Sequence, residues 1–126
     1  MPDTLLSFVH VSDTHISHDP HYNHDGAMHT PMVGARSLVH QLNSLPFKPD
    51  FVLHTGDVVY DPDEEAYAAA REILSEIEAP VYYLPGNHDD PAMLQRLMLG
   101  AETILAPFDY EFEVNAFNTT YEVFFI

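Results

Sequence analysis

The chain has no cysteine, which excludes disulfides and thiolate metal sites but does not fix the compartment. It is also nearly without positive charge. Lys48, Arg36, Arg71 and Arg96 stand against 20 aspartates and glutamates, and the formal charge is -16. Such a chain lacks the cationic surface that holds a nucleic-acid backbone, so binding to duplexes is not expected. Anionic membrane surfaces are disfavoured for the same reason. No apolar run is long enough to span a bilayer, and no basic segment followed by an apolar stretch precedes the first strand-like residues. A cytoplasmic protein is the expectation. Asn118-Thr119-Thr120 matches the glycosylation sequon, and without an export signal the match reads as chance.

What is present fits one globular domain: 126 residues, 46% of them apolar. Most of the acidity reads as a solvated surface. A smaller part has a chemical use, because bound divalent cations offset the carboxylates that hold them.

Apolar runs rich in strand formers lie at Leu5 to Val11, Phe51 to Thr55 and Val81 to Leu84. Between them are helical patterns. Thr30-Pro31 reads as cap and first turn, followed by Met32, Ala35, Leu38, Val39 and Leu42 at helical spacing. Asp61-Pro62-Asp63-Glu64 reads as a second start, with Asp61 as cap and Glu64 completing a capping box. Its buried stripe would be Ala66, Ala69, Ala70, Ile73, Leu74 and Ile77. Asp90-Pro91 opens a short third helix carrying Leu94, Leu97 and Met98, with Gly100 at its end. The alternation predicts an α/β fold with a parallel sheet and right-handed crossovers. Phe108 to Val114 and Tyr121 to Ile126 read as an antiparallel hairpin with a loop of about four to six residues.

Each of the three strands ends in groups that bind hard cations: Asp13-Thr14-His15, then Gly56-Asp57, then Gly86-Asn87-His88-Asp89. Ligands of open α/β sheets bind beyond the carboxyl ends of the strands, so the three groups converge on one edge. Carboxylate and amide oxygens with imidazole suit manganese and iron, and zinc or cobalt can substitute. A carboxylate has two oxygens and can bridge two ions. Each group alone is commonplace, since Gly-Asp and Asn-His-Asp occur in ordinary turns. Three in order, each ending a predicted parallel strand, are far more specific.

This constellation resembles the calcineurin-like metallophosphoesterase superfamily, whose pattern runs D-x-H, G-D, G-N-H-D/E, a lone His and G-H-x-H. The chain matches through Asp90. The Ser-Asp-Thr-His start, the His-rich loop and the Gly-Asn-His-Asp group are most similar to class III cyclic nucleotide phosphodiesterases. The resemblance implies a β-sandwich flanked by helices. Residues 1–126 would be the N-terminal portion of one such domain, supplying its βαβαβα part plus a β-hairpin. It implies that Asp13 and His15 bind a first metal, that Asp57 bridges two, and that Asn87 binds the second. His88 would contact the phosphoryl group and protonate the leaving oxygen. Asp89 would orient His88 or cap the entry to the third helix. The implied chemistry is hydrolysis of a small phosphodiester, cyclic nucleotides leading, by a hydroxide held between two ions about 3.5–4 Å apart.

The departure from the family pattern is that no histidine follows residue 90, so the lone His and G-H-x-H are absent. The ligand set is half complete, and a single sheet would leave its inner face and an edge strand open to self-association. A non-catalytic scaffold of the same fold, binding a protein partner, is the alternative; the intact Asp13, His15, Asp57, Asn87 and His88 argue against it. Of the other histidines, His18, His21, His24 and His29 crowd one loop. Ordinary solvated polarity explains them, and the sharper reading gives His18 and His21 a substrate contact. His10 and His54 read as sheet residues, and His40 as a helix-surface residue.

Overall fold

A computed structural model of the chain describes residues 6–23, 30–105, 111–116 and 119–124. Three parallel strands form the central sheet in the order β1 (Phe8–Val11), β2 (Phe51–His54), β3 (Val81–Tyr83). Phe8 pairs with Phe51, and Leu53 with Tyr82. Because side chains alternate along a strand, Val9, Val11, Val52, Val81 and Tyr83 share one face, and all five belong to or pack against the hydrophobic core. The helices α1 (Pro31–Asn43), α2 (Glu64–Leu74) and α3 (Pro91–Leu97) complete that core, α2 packing against both of the others.

The helix starts reflect local chemistry. Thr30 caps α1 by accepting from the Val33 N–H at 3.3 Å, with Pro31 in the first turn. Asp90 caps α3, accepting from Ala92 and Met93 at 2.9 and 3.0 Å. For α2 the cap is Asp63 rather than Asp61: its carboxylate accepts from the Ala66 N–H at 2.7 Å, two residues later than the sequence pattern suggests. Glu64 and Glu65 then lie in the first turn, where the helix dipole favours acids. Gly100 (φ 66) turns the chain after α3. The buried Gln95 amide then holds the segment up to Leu105, with Leu105 donating to its Oε1 at 2.8 Å and its Nε2 donating to Leu105 O at 3.0 Å.

Two strands, β4 (Glu111–Ala116) and β5 (Thr119–Phe124), pair antiparallel. The hairpin loop is shorter than the spacing suggests: Asn115 and Ala116 pair with Thr120 and Thr119, leaving only residues 117 and 118 between the strands. The hairpin packs against the main sheet through Phe112. The Phe112 ring stacks on Tyr82 at 3.5 Å and meets Phe51 edge-on at 5.1 Å. The inner face of the main sheet is therefore partly covered, with Phe51 only 2% exposed while Phe8 remains 51% exposed. Among the described residues, no helix is long and apolar enough to cross a membrane.

Candidate metal centre

Beyond Val11 and His54 the ladder between β1 and β2 becomes irregular without separating. Thr55 donates to Val11 O at 3.0 Å, Asp13 to Gly56 O at 2.9 Å, His15 to Asp57 O at 3.0 Å and Ile16 to Val58 O at 2.9 Å. Asp13 (φ 61), His15 (φ 46) and Asp57 (φ 53) are the non-glycine residues with left-handed backbone among those described. Each such conformation costs on the order of 1–3 kcal/mol and persists where the surroundings enforce it. Here the flanking main-chain hydrogen bonds enforce it, and three candidate ligands turn inward.

Two glycines let the second and third groups touch. Gly56 has φ 126, and a Cβ there would collide with the Gly86 backbone. A Cβ on Gly86 would collide with the Asp57 carboxylate. The Gly in Gly-Asp and the Gly in Gly-Asn-His-Asp therefore face each other.

The result is a compact cluster. His15 Nε2 lies 3.4 Å from Asp13 Oδ1 and 3.5 Å from Asp57 Oδ2. One donor atom from each of the three residues falls within 4.8 Å of the others. His15 Nε2 is buried and has no hydrogen-bond partner. A buried nitrogen set between two carboxylates at these long distances is well placed as a cation ligand. Asn87 lies beside the same carboxylate. With its amide nitrogen turned inward it donates to Asp57 Oδ2 and Oδ1 at 3.1 and 3.3 Å. With its oxygen inward, the two acceptors would repel unless a cation lay between them. Both observations fit a metal centre of mixed oxygen and imidazole ligands. The Ser12 hydroxyl, bonded to the exposed Asp13, is the main influence holding that carboxyl below the usual carboxylate range.

His88 sits next to this cluster, its ring 5.2 Å from His15 and 5.1 Å from Tyr60. Its backbone N–H donates to Asp57 Oδ1 at 2.9 Å. Its Nδ1 is 2.8 Å from the Tyr60 carbonyl, which can only accept, so Nδ1 carries a proton. Asp89 does not face this imidazole. Its buried carboxylate turns the other way and accepts from the Val58, Val59 and Gly86 N–H groups and from the Tyr67 hydroxyl. The cap of α3 is Asp90, so neither role expected of Asp89 describes its contacts.

The chain belongs to the calcineurin-like phosphoesterase family. Residues 6–125 match that family's model. The chain is 37% identical over 87 residues to the glycerophosphodiester phosphodiesterase GpdQ of Enterobacter lignolyticus (strain SCF1), covering 69% of this chain and 31% of that protein. It is 30% identical over 112 residues to a cAMP/cGMP dual specificity phosphodiesterase of Mycobacterium tuberculosis, covering 86% of this chain and 34% of the other. A 3',5'-cyclic adenosine monophosphate phosphodiesterase, CpdA of Pseudomonas aeruginosa, is 30% identical over 105 residues, 81% of this chain and 37% of its own. The chain thus spans about a third of the length of these relatives.

The other described histidines occupy varied positions. His18 Nδ1 lies 3.1 Å from Asp63 Oδ2, tying the loop after the first ligands to the start of α2. His21 is exposed in the same loop, its N–H on Asp19 Oδ1 at 2.9 Å. His24 and His29 lie outside the described residues. His40 is exposed on α1, and His10 is exposed on β1 with Nε2 2.6 Å from Thr55 Oγ1. His54 is buried beneath the ligands. Its Nδ1 accepts from Gly56 N–H at 3.2 Å and its Nε2 lies 3.0 Å from Thr14 Oγ1, which itself donates to Val58 O at 2.9 Å. Burial pushes its pKa down to about 4, so it is neutral at pH 7. Thr14 and Tyr67 are the polar supports that the sequence pattern left unnoticed. Thr14 lies between two candidate ligands and could have been found there. Tyr67 sits among alanines at a core position of α2, where nothing local marks its hydroxyl.

Proposed function

We propose that this strand-end cluster is the N-terminal half of the active site of a phosphodiesterase that uses two divalent or trivalent cations, manganese and iron leading. The observation that carries the proposal is the convergence of His15 Nε2 with the Asp13 and Asp57 carboxylates, one donor atom of each within 4.8 Å of the others. Asp13, His15 and Asp57 would hold one cation; Asp57 and Asn87 would hold the other. Bound, the cations would supply a water of lowered pKa and would neutralise charge on the phosphoryl oxygens.

The chain's own groups supply orientation and a proton. His88 keeps one proton on the Tyr60 carbonyl through Nδ1, which leaves Nε2 to meet the phosphoryl group. When protonated there, it donates to the leaving oxygen. Asp89 shapes the loop that presents Asn87 and His88. His18 Nδ1 is taken by Asp63, which leaves its Nε2 to meet substrate, and His21 is exposed in the same loop and would meet substrate beside it. The substrate class is a small phosphodiester, with cyclic nucleotides first; the relatives' names support it, two being cyclic nucleotide and one glycerophosphodiester phosphodiesterases.

The test is hydrolysis of bis(p-nitrophenyl) phosphate by the 126-residue chain with added Mn²⁺, beside Asp57→Asn. Mn²⁺-dependent turnover that disappears in the variant would support the proposal, and a folded chain without turnover would mark the cluster as half of the site, inactive alone. Turnover that is equal in both would remove Asp57, and with it the proposed centre.

A further inference from the structure

Asp57, Asn87 and His88 lie on two separate loops, and one fully buried side chain from a third element joins those loops. Tyr67, on the first turns of α2, is 0% exposed. Its hydroxyl donates to Asp89 Oδ1 at 3.1 Å and accepts from the Asp90 N–H at 3.1 Å. The same Asp89 carboxylate takes the Val58 and Val59 N–H groups at 3.2 and 3.3 Å and the Gly86 N–H at 2.9 Å. Val58 and Val59 come directly after Asp57, whose backbone is held at φ 53. Gly86 directly precedes Asn87. Tyr67 and Asp89 therefore fasten both loops at the residues next to the proposed ligands while touching none of those ligands.

We infer that Tyr67 is a positioning residue for the cation between Asp57 and Asn87, acting through Asp89. A carboxylate with this many donors has one favoured orientation, and the Tyr67 proton is the part of its set that comes from outside the two loops. Without it, Asp89 Oδ1 keeps a single, longer bond to Val59, and the Asp90 N–H loses its acceptor. The pair of loops then gains freedom at Asp57 and Asn87. Removing a hydrogen-bond partner of a metal's own ligand typically changes its affinity 10–100-fold, and Tyr67 stands further out, so the expected change is no larger than the lower end of that range. Tyr67→Phe removes one oxygen and retains the ring that fills the core.

The inference rests on the proposed metal centre, and the experiment separates the two. Mn²⁺ is titrated into the 126-residue chain and free Mn²⁺ is read by electron paramagnetic resonance. The variants are Asp57→Asn, Tyr67→Phe, Asn87→Ala, the double variant of the last two, and Ile73→Val, a core change on the same helix. The expected results are Mn²⁺ binding lost in Asp57→Asn and weakened severalfold, up to about tenfold, in Tyr67→Phe. The two Tyr67 and Asn87 changes should combine to less than the product of their separate effects, because both act on one ion. Ile73→Val should lower the melting temperature with affinity unchanged. If Tyr67→Phe fails to fold, Asp89→Asn replaces it, with the same weakening expected. Wild-type affinity in a folded Tyr67→Phe or Asp89→Asn chain, or full additivity with Asn87→Ala, overturns the inference alone. Absence of Mn²⁺ binding by the unaltered chain, or binding unaffected by Asp57→Asn, overturns the metal centre and this inference with it.

Discussion

The two carboxylates that face His15 sit in contrasting surroundings. The Asp57 side chain is 12% exposed, walled in by the Gly86 backbone, with the His88 N–H and the Asn87 amide against it. The Asp13 side chain is 60% exposed, and its place is set mainly by its own strained backbone and by Ser12. One flank of the centre is built into the core; the other is open. An ion in such a site gains most of its positional definition from the walled side. The open side leaves room for further ligands and for substrate.

Removing each of the two acids in turn is the strongest way to break this contrast. Asp57→Ala should abolish Mn²⁺ binding and also lower stability, since the His88 N–H loses its acceptor in a part-buried setting. Loss of such a partner typically costs about 1–3 kcal/mol. Asp13→Asn, which keeps a residue suited to the left-handed backbone, should weaken Mn²⁺ binding while changing the stability of the metal-free chain by no more than about 0.5 kcal/mol. Metal titration and urea denaturation of both variants check the prediction. Equal losses of stability would show that the two flanks are not different in kind.

The walled side also carries a pH signature through His54. Its folded pKa is about 4, against 6.5 for the ordinary side chain, because burial disfavours the charged ring. Above pH 6.5 both folded and unfolded chains hold it neutral, and it contributes no pH dependence. As pH falls below that value the unfolded chain takes up a proton that the folded chain refuses, so stability drops. The loss levels off near pH 4, where the folded chain protonates too. The full loss is about 3 kcal/mol. Urea denaturation between these two pH values, compared with His54→Gln, isolates the effect. A variant with the same slope as the unaltered chain would assign the acid lability elsewhere.

How far the site could be read from sequence depends on the range of the interactions. That Asp13, His15, Asp57, Asn87 and His88 gather at one edge was legible because strand ends and short motifs are local, and the sheet brings local motifs together. Thr30 and Asp90 were legible as caps for the same reason. Asp89 was not: its donors Val58 and Val59 lie about thirty residues upstream, and Tyr67 lies on another element. The hairpin was legible as two β-rich runs but not in its loop length, because Asn115 reads as a turn former and instead pairs with Thr120. Asp61 and Asp63 are equally good caps in isolation; Asp63, the one that caps, is also met by His18 from a distant loop.

That contact supplies the smallest effect. Asp63 uses one oxygen to cap α2, on Ala66, and the other to meet His18 Nδ1. The cap is main-chain and partly buried; the His18 pair is exposed on both sides. Replacing a capping acid by alanine costs about 1 kcal/mol. Exposed ion pairs contribute about 0–1 kcal/mol, toward the low end where the side chains are free to move. Asp63→Ala should therefore destabilise clearly, and His18→Ala by less than about 0.5 kcal/mol. Thermal denaturation of the two single variants and of the double variant gives the coupling directly. A coupling larger than the effect of the cap would mean that the loop beyond His15 is anchored by His18, and that the open flank is stiffer than its exposure suggests.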